Sequence, residues 1–427
     1  MKTKGNSFSF FLTILTLGGT LLLSGCGYQY KCRVTFGSSA CTPSGGGISS
    51  GGGGTATSTA FAFNIVDSGS INGISLTTGS NAAFENIANF AAPTVPQSDI
   101  SSEIVIAQKK FVYAVFPDTQ QLYAWSIDST TGNLTSLSGS PFSIASLGGL
   151  VFNSAGVNLA SLAVNPAGTL LFLADASGAQ IIVYQIDSTG ALTPAPGSPV
   201  STSGMIQPWN LYFDGLGKYL YVTSGPEGQG QNLAAYSVQS SGAIALVPGS
   251  PFPLNLWQLQ GDPSGQYMIG ISGRSAQLNG LPDDPSLYVF AIQQSGANAG
   301  ALTEVTGSPF TTLYVPVNLA VQPNATNGNF VYSFSINGAG YNPIEAYQLD
   351  SSTGALSALP TSPFSNLTTS PWGQFDQSGA YLFVYTALGS TAQLGVLNVT
   401  SGTGGLTQSL ANVPLTSGGY FAVTDSQ

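Results

Sequence analysis

The chain has 427 residues, of which 43% are apolar, 6% are charged and none is histidine. The low charge argues against a coiled coil or a solvated tail, and the apolar content argues against disorder. Without histidine, the chain cannot form a Ser-His-Asp or Cys-His triad or an imidazole zinc site. The formal net charge of −10 has the wrong sign for binding nucleic acid or an anionic membrane surface.

Residues 1–25 are predicted to be a signal peptide. Lys2 and Lys4 precede a mostly apolar run at 8–23, which is shorter than the ~20 residues that span a bilayer as a helix. Residues 23–26, which read Leu-Ser-Gly-Cys and begin with the last residue of that run, resemble the lipobox of bacterial lipoproteins. The resemblance implies cleavage before Cys26, lipid on its sulfur, and anchoring to a bilayer outside the cytoplasm. The absence of aspartate after Cys26 favours the outer membrane as the site of anchoring. The alternative to a lipoprotein signal is an ordinary secretory signal peptide, in which Cys26 carries no lipid.

Residues 26–59 are expected to be a lipid anchor followed by a flexible linker. Cys32 and Cys41 are the other two cysteines, and in an oxidising compartment such a pair is expected to form a disulfide. Two free thiols are the alternative. The stretch 42–59 reads TPSGGGISSGGGGTATST, a Gly/Ser-rich composition that behaves as a flexible coil. The folded part is therefore predicted to span residues 60–427.

Within residues 60–427 the sequence repeats with a spacing of 50–58 residues. The clearest phrase is GNLTSLSGSPF at 132–142. Related copies occupy 190–200, 242–252, 300–310 and 354–364, and a weaker copy begins at Gly404. A regular period of this size is typical of solenoids, propellers or arrays.

The contents of each repeat favour a propeller. Short apolar runs such as residues 219–222 and 330–334 are bounded by Gly, Pro or Asn, the pattern of strands that are buried on both faces. Four antiparallel strands per repeat make one propeller blade, so the expected fold is an all-β, seven-bladed β-propeller, with six or eight blades as alternatives. The first repeat, beginning at Phe61, lacks a strand that the C-terminal stretch 419–425 can supply. We therefore expect the last strand to close the ring within the first blade, which removes exposed strand edges.

Several phrases resemble the lactonase-like seven-bladed propellers, also described by YVTN-type repeats. They are Tyr-Val-Thr-Ser at 221–224, the third-strand motifs at 125–128 and 184–187, and the repeated Gly-Ser-Pro-Phe phrase. Enzymes of this group resemble 6-phosphogluconolactonases, whose sites include histidine, arginine and acidic residues at the channel mouth. The family's aspartate segment is similar to residues 174–180, so the resemblance makes Asp175 a candidate catalytic base. The alternative is that Asp175 caps a turn, and the family's histidines have no counterpart here.

A second set of candidates lies on long loops and at the starts of the innermost strands. Loops between second and third strands are long in three consecutive repeats and carry Glu227, Arg274, Asp283, Asp284 and Tyr341. Trp209, Trp257 and Trp372 precede or begin innermost strands at related repeat positions. In a propeller these segments emerge on one face, so the sequence predicts a ligand-binding surface there.

The chemistry of these candidates suggests a binding surface. Tryptophan faces with few charges suit a glycan, a peptide or a protein partner. No cofactor is implied, although clustered carboxylates without histidine could hold Ca²⁺. Three alternatives are that the tryptophans fill the channel, that Arg274 pairs with Asp283 and Asp284 to hold its loop, and that the two aspartates act as paired acids in catalysis.

The sequence thus predicts a lipid-anchored propeller of the bacterial cell envelope, monomeric, that binds a partner without catalysing a reaction. The first alternative is a lactonase-type hydrolase that acts on a neutral lactone with carboxylates and water. The second is a structural envelope protein without a small ligand. A phosphorylated substrate is not expected, because the repeat region holds only four basic residues, Lys109, Lys110, Lys218 and Arg274.

Overall fold

The computed structural model describes residues 58–427, except for stretches at 67–68, 78–81, 89, 97–102, 117–118, 144–160, 177, 203–206, 225–231, 275–280, 325–328, 336–342, 365–371, 389–390, 409, 416–420 and 426–427. The signal peptide, Cys26, Cys32 and Cys41 lie outside the described residues, as do Glu227 and Tyr341. None of the described segments is a helix long and apolar enough to cross a membrane.

The described strands form seven antiparallel sheets, which are the seven blades. Blade 1 contains β1 (Ser58–Val66), β2 (Ser70–Thr77) and β3 (Ala83–Asn86), with β32 (Phe421–Asp425) innermost. Blade 2 contains β4 (Glu103–Ala107), β5 (Phe111–Phe116), β6 (Gln121–Ile127), β7 (Leu134–Ser136) and β8 (Phe142–Ser143). Blade 3 contains β9 (Leu162–Val164), β10 (Leu170–Asp175), β11 (Gln180–Ile186), β12 (Leu192–Pro194) and β13 (Val200–Ser201).

The other four blades follow the same order, from the innermost strand outward. Blade 4 contains β14 (Pro208–Phe213), β15 (Tyr219–Ser224), β16 (Leu233–Val238) and β17 (Ile244–Leu246). Blade 5 contains β18 (Gln258–Gly261), β19 (Tyr267–Ile271), β20 (Ser286–Ile292), β21 (Leu302–Glu304) and β22 (Phe310–Thr311). Blade 6 contains β23 (Pro316–Val321), β24 (Phe330–Ser335), β25 (Ile344–Leu349) and β26 (Leu356–Ala358). Blade 7 contains β27 (Trp372–Phe375), β28 (Tyr381–Leu388), β29 (Thr391–Val399), β30 (Leu406–Gln408) and β31 (Val413–Leu415).

The ring closes through the C-terminal strand. β32 pairs antiparallel with β1, with Val423 opposite Ala62 and Ala422 opposite Phe63. The innermost strands contact each other in order around the ring, and β27 contacts β32 across the closure. The predicted seven-bladed fold and its closure within the first blade are therefore confirmed.

The core consists of apolar layers between neighbouring blades. All six residues of β15 are buried, because the strand lies between two other blades. Leu220 and Val222 pack with blade 3, whereas Tyr219 and Tyr221 pack with blade 5. The continuous apolar runs of the sequence therefore reflect burial on both faces, as predicted.

The Gly-Ser-Pro-Phe phrase follows the fourth strand of its blade and leads the chain back to the third strand. In blade 4 that strand already ends at Leu246, and the chain turns back so that Phe252 pairs with Leu233 on the third strand. The hydroxyl oxygen of Ser250 accepts a hydrogen bond of 2.8 Å from the N–H of Ala235, in the same third strand. Equivalent bonds join Ser140 to Ala124, Ser198 to Val183, Ser308 to Val289 and Ser362 to Ala346. The serine recurs because it ties the returning loop to its own blade.

Candidate functional site

The central channel opens into a cavity at each end. One cavity, of about 510 Å³, lies where the innermost strands begin, and we call it the channel mouth. Its polar and aromatic wall is formed by Glu103, Ser161, Asn210, Tyr212, Trp257, Gln258, Gln260, Asn318, Trp372 and Gln374. The other cavity, of about 680 Å³, is lined in part by turns between first and second strands, including residues 165–168 and 214–215. The channel mouth is the concave site at the end predicted from the tryptophans.

Equivalent positions of successive blades place polar side chains around the channel mouth. Glu103, Gln258 and Asn318 each lie opposite the fifth residue of the neighbouring second strand. Trp372 occupies the same register in blade 7. The backbone carbonyl of Ser161 accepts a hydrogen bond from the fifth residue of β10, so Ser161 belongs to the same ring. The mouth is therefore one structural position repeated, with a different side chain in each blade.

Many of these side chains bind the backbone of the next blade. Gln258 accepts a 2.9 Å hydrogen bond from the N–H of Leu319 and donates one of 3.1 Å to its carbonyl. Asn210 donates to the carbonyl of Trp257 at 3.2 Å. The innermost strand is a sheet edge, whose free N–H and C=O groups need partners. We call this set of contacts the inter-blade girdle, and it holds the ring around the channel.

Glu103 is the carboxyl member of the inter-blade girdle. It accepts a short hydrogen bond from the N–H of Leu162, which is the counterpart in blade 3 of Leu319 in blade 6. Burial raises the pKa of Glu103 from 4.5 to about 7, although hydrogen bonds from Leu162 and Ser161 lower it in part. A carboxyl group in this range can accept or donate a proton near neutral pH, which makes Glu103 a candidate functional residue.

The structure brings two of the three predicted tryptophans to the channel mouth. Trp257 and Trp372 line it, and the side chain of Trp372 is 38% exposed. Trp209 is 4% exposed and lines neither of the two cavities. The pairing register of β14 shifts between Pro208 and Leu211, and such a bulge redirects the side chains within it. Two of the three tryptophans therefore meet at the channel mouth, and their role in binding a ligand stays a prediction.

Arg274 and Asp284 belong to a local network in blade 5 rather than to the lining of the mouth. Asp284 accepts hydrogen bonds from the hydroxyls of Ser272 at 2.6 Å and Tyr288 at 3.0 Å. The N–H of Asp284 donates to the carbonyl of Arg274 at 3.3 Å. Burial and the bond to Asp284 raise the pKa of Tyr288 to about 12. Asp283 is exposed beside this network, so the two adjacent aspartates have different surroundings.

Asp175 has the geometry of the turn-capping alternative. Its carboxylate accepts hydrogen bonds of 2.8 Å from the N–H of Gly178 and of 2.8 Å from the side chain of Gln180. The residue is 2% exposed and does not line the channel mouth. Its carboxylate therefore serves the turn between β10 and β11.

Charge at the mouth comes from Glu103. Among the lining residues that the structure describes there is no lysine or arginine. Within the described ranges, no group of three or more His, Cys, Asp or Glu side chains is placed to hold a metal ion. The described residues therefore offer no acidic cluster for the Ca²⁺ that was considered from the sequence. Glu103 was not among the functional residues predicted from the sequence. Its signal was the register it shares with Gln258 and Asn318, which emerges only when the first strands of the repeats are aligned.

The fold and the site together define a seven-bladed β-propeller whose candidate site is the cavity at the channel mouth. No protein-family model and no curated protein matches the chain. Solved structures do share its fold. A candidate 6-phosphogluconolactonase from Bacteroides fragilis has a TM-score of 0.58 at 16% identity, covering 87% of this chain and 99% of that chain.

Two further structures carry related names. A candidate 6-phosphogluconolactonase from Bacteroides uniformis has a TM-score of 0.57 at 15% identity, covering 83% of this chain and 96% of that chain. The periplasmic gluconolactonase PpgL of Pseudomonas aeruginosa has a TM-score of 0.55 at 13% identity, covering 87% and 99%. At such identities the likeness shows the fold alone, because one fold serves many activities.

Proposed function

We propose that the protein binds a small, ring-shaped molecule without negative charge, such as a sugar, at the channel mouth. The observation that carries the proposal is a cavity of about 510 Å³ whose wall combines two tryptophans with amide side chains. Flat indole faces provide contact area for a ring at low entropic cost, and amides both donate and accept hydrogen bonds. An anionic ligand would face Glu103 without a basic partner among the described lining residues.

The site of action in this proposal is outside the cytoplasm, at a membrane to which the acylated Cys26 tethers the protein. The support is the charged start, the short apolar run and the Leu-Ser-Gly-Cys sequence that ends at Cys26. The likeness in fold to a protein named as periplasmic agrees with that location.

Binding is tested by titrating the purified protein with neutral monosaccharides and oligosaccharides while tryptophan fluorescence and heat are recorded. Trp257→Ala and Trp372→Ala are expected to weaken binding at least about tenfold, because each removes an aromatic face. Leu246→Ala is the matched control, since Leu246 is a large apolar side chain exposed on an outer strand. Binding that survives both tryptophan substitutions would contradict the assignment of the site.

A second candidate function is hydrolysis of a neutral sugar lactone at the same mouth, and the position of Glu103 favours it. The Glu103 carboxylate would take a proton from water as the water oxygen adds to the lactone carbonyl carbon. The ring C–O bond would then break, and the proton would pass to the departing ring oxygen, leaving a hydroxy acid. The raised pKa of Glu103, at about 7, suits both steps.

Turnover of glucono-1,5-lactone, corrected for spontaneous hydrolysis, tests this second function. Glu103→Gln is expected to lower the rate at least about a hundredfold, whereas Asp175→Asn lies away from the mouth and is expected to retain it. A protein that binds sugars but shows no turnover would exclude hydrolysis of this lactone and leave the binding function intact.

A further inference from the structure

The inter-blade girdle does not need a carboxyl group at position 103. Gln258 makes the equivalent contact between blades 5 and 6 with a neutral amide, and it binds both the N–H and the carbonyl of Leu319. An ionised glutamate can accept from the N–H of Leu162 but has no proton to donate. The position therefore carries a charge that its structural contact does not require.

That charge has no basic partner at the mouth. The region from residue 60 onward contains eighteen acidic and four basic residues. Lys109, Lys110 and Lys218 lie in turns between first and second strands, at the opposite end of the channel from the mouth. Arg274 belongs to the network around Asp284 in blade 5. The lining that the structure describes at the mouth therefore presents one carboxyl group and no cation.

The aromatic residues of the mouth point to the same class of ligand. Trp257 and Trp372 line the cavity that Glu103 also lines. The face of an indole ring carries partial negative charge and attracts ammonium groups, most strongly where both groups are removed from water. A carboxylate removed from water gains more from a charged donor than from a hydroxyl group. Both features favour a cation over a neutral molecule of the same shape.

We propose that the ligand of the channel mouth carries an organic ammonium group, which is bound by the Glu103 carboxylate and the indole rings of Trp257 and Trp372. This inference rests on the proposed function and names the chemical class of its ligand. The net negative charge of the propeller adds long-range attraction for such a cation and repels anions.

The test compares pairs of probes that differ in charge at one group. Choline is compared with 3,3-dimethylbutan-1-ol, and 6-amino-6-deoxyglucose with glucose, by titration of the purified full-length protein at pH 8. The charged member of at least one pair is expected to bind about tenfold more tightly than its neutral partner, and high salt should reduce the difference.

The variants separate the charge of Glu103 from its structural contact. Glu103→Gln retains an acceptor for the N–H of Leu162 and is expected to reduce the preference for the cation to the part that the indole rings supply. Glu85→Gln removes the same charge from an exposed position on β3 and is expected to preserve that preference. If Glu103→Gln does not fold, choline affinity of the unaltered protein is compared at pH 8 and pH 5. Choline does not titrate, and no other carboxyl group lines the described part of the mouth, so weaker binding at pH 5 supports the inference.

Three results would overturn the ammonium inference. Neutral members that bind as tightly as their charged partners would overturn the ammonium inference and leave the proposed binding site standing. An equal preference for cations in the Glu103→Gln and Glu85→Gln proteins would also overturn it. If neither pair and no neutral sugar binds, the proposed function and the inference both fail.

Discussion

The hydroxyl of Tyr221 donates a 3.0 Å hydrogen bond to the carbonyl of Gly300, across the seam between blades 4 and 5. Gly300 has a φ of +93°, and the ring of Tyr219 lies against it. The same bond joins Tyr113 to Gly190 and Tyr332 to Gly404 in other blades. The glycine that opens each repeated phrase is therefore a docking point for the preceding blade.

Gly300→Ala is expected to lower the free energy of unfolding by about 3 kcal/mol, which chemical denaturation measures. A Cβ atom at this position would lie 2.5 Å from the Tyr219 ring, and the backbone conformation adds strain. Gly296→Ala is the control, because Gly296 has a similar φ of +87° but no atom within 4 Å of the added Cβ. Its cost should be about 1 kcal/mol, and equal losses in the two proteins would contradict a packing role for Gly300.

Tyr221→Phe is expected to cost about 1–2 kcal/mol, since it leaves the carbonyl of Gly300 buried without its donor. Tyr184 offers a matched comparison: it is equally buried, but its hydroxyl has no hydrogen-bond partner among the described residues. Tyr184→Phe should therefore be neutral or stabilising. Thermal unfolding of both proteins checks the difference, and a larger loss for Tyr184→Phe would refute it.

Ser250→Ala is expected to destabilise the protein by about 1 kcal/mol, because the N–H of Ala235 loses its acceptor. Ser240 is an exposed serine in the preceding turn, and Ser240→Ala should change the denaturation midpoint little. Hydrogen exchange at Ala235 gives a local readout. Unchanged protection of that amide in the Ser250→Ala protein would show that the serine does not hold the loop.

The stability of the protein should depend on pH through Glu103. Its pKa is about 7 in the folded protein against an ordinary value of 4.5, so folding favours the protonated form. This contribution is fully present below pH 4.5 and is lost as the pH rises through 7, a change of about 3 kcal/mol at most. Glu103→Gln should flatten the dependence between these limits, and Glu85→Gln should not. Parallel pH profiles of the Glu103→Gln and unaltered proteins would exclude the effect.

Much of the fold could be predicted from the sequence because its signals are local. The phrase with Gly-Ser-Pro-Phe recurs because each blade needs the same loop, and runs such as residues 219–222 are apolar throughout because neighbouring blades cover both faces. Closure could also be inferred, since one repeat lacked a strand that residues 421–425 supply.

Which side chains line the channel mouth was decided by the tertiary structure. Trp209 and Trp257 occupy related repeat positions, yet of the two only Trp257 lines the channel mouth. The pairing register of β14 shifts between Pro208 and Leu211, on either side of Trp209, and no local pattern in the sequence predicts that shift. No local pattern in the sequence distinguishes Glu103 as a functional residue. It becomes a candidate only in the folded protein, where the N–H of Leu162 in β9 donates a hydrogen bond to its carboxylate. Local periodicity determines strands and turns, whereas the chemistry of a propeller channel depends on where residues from seven separate strands converge.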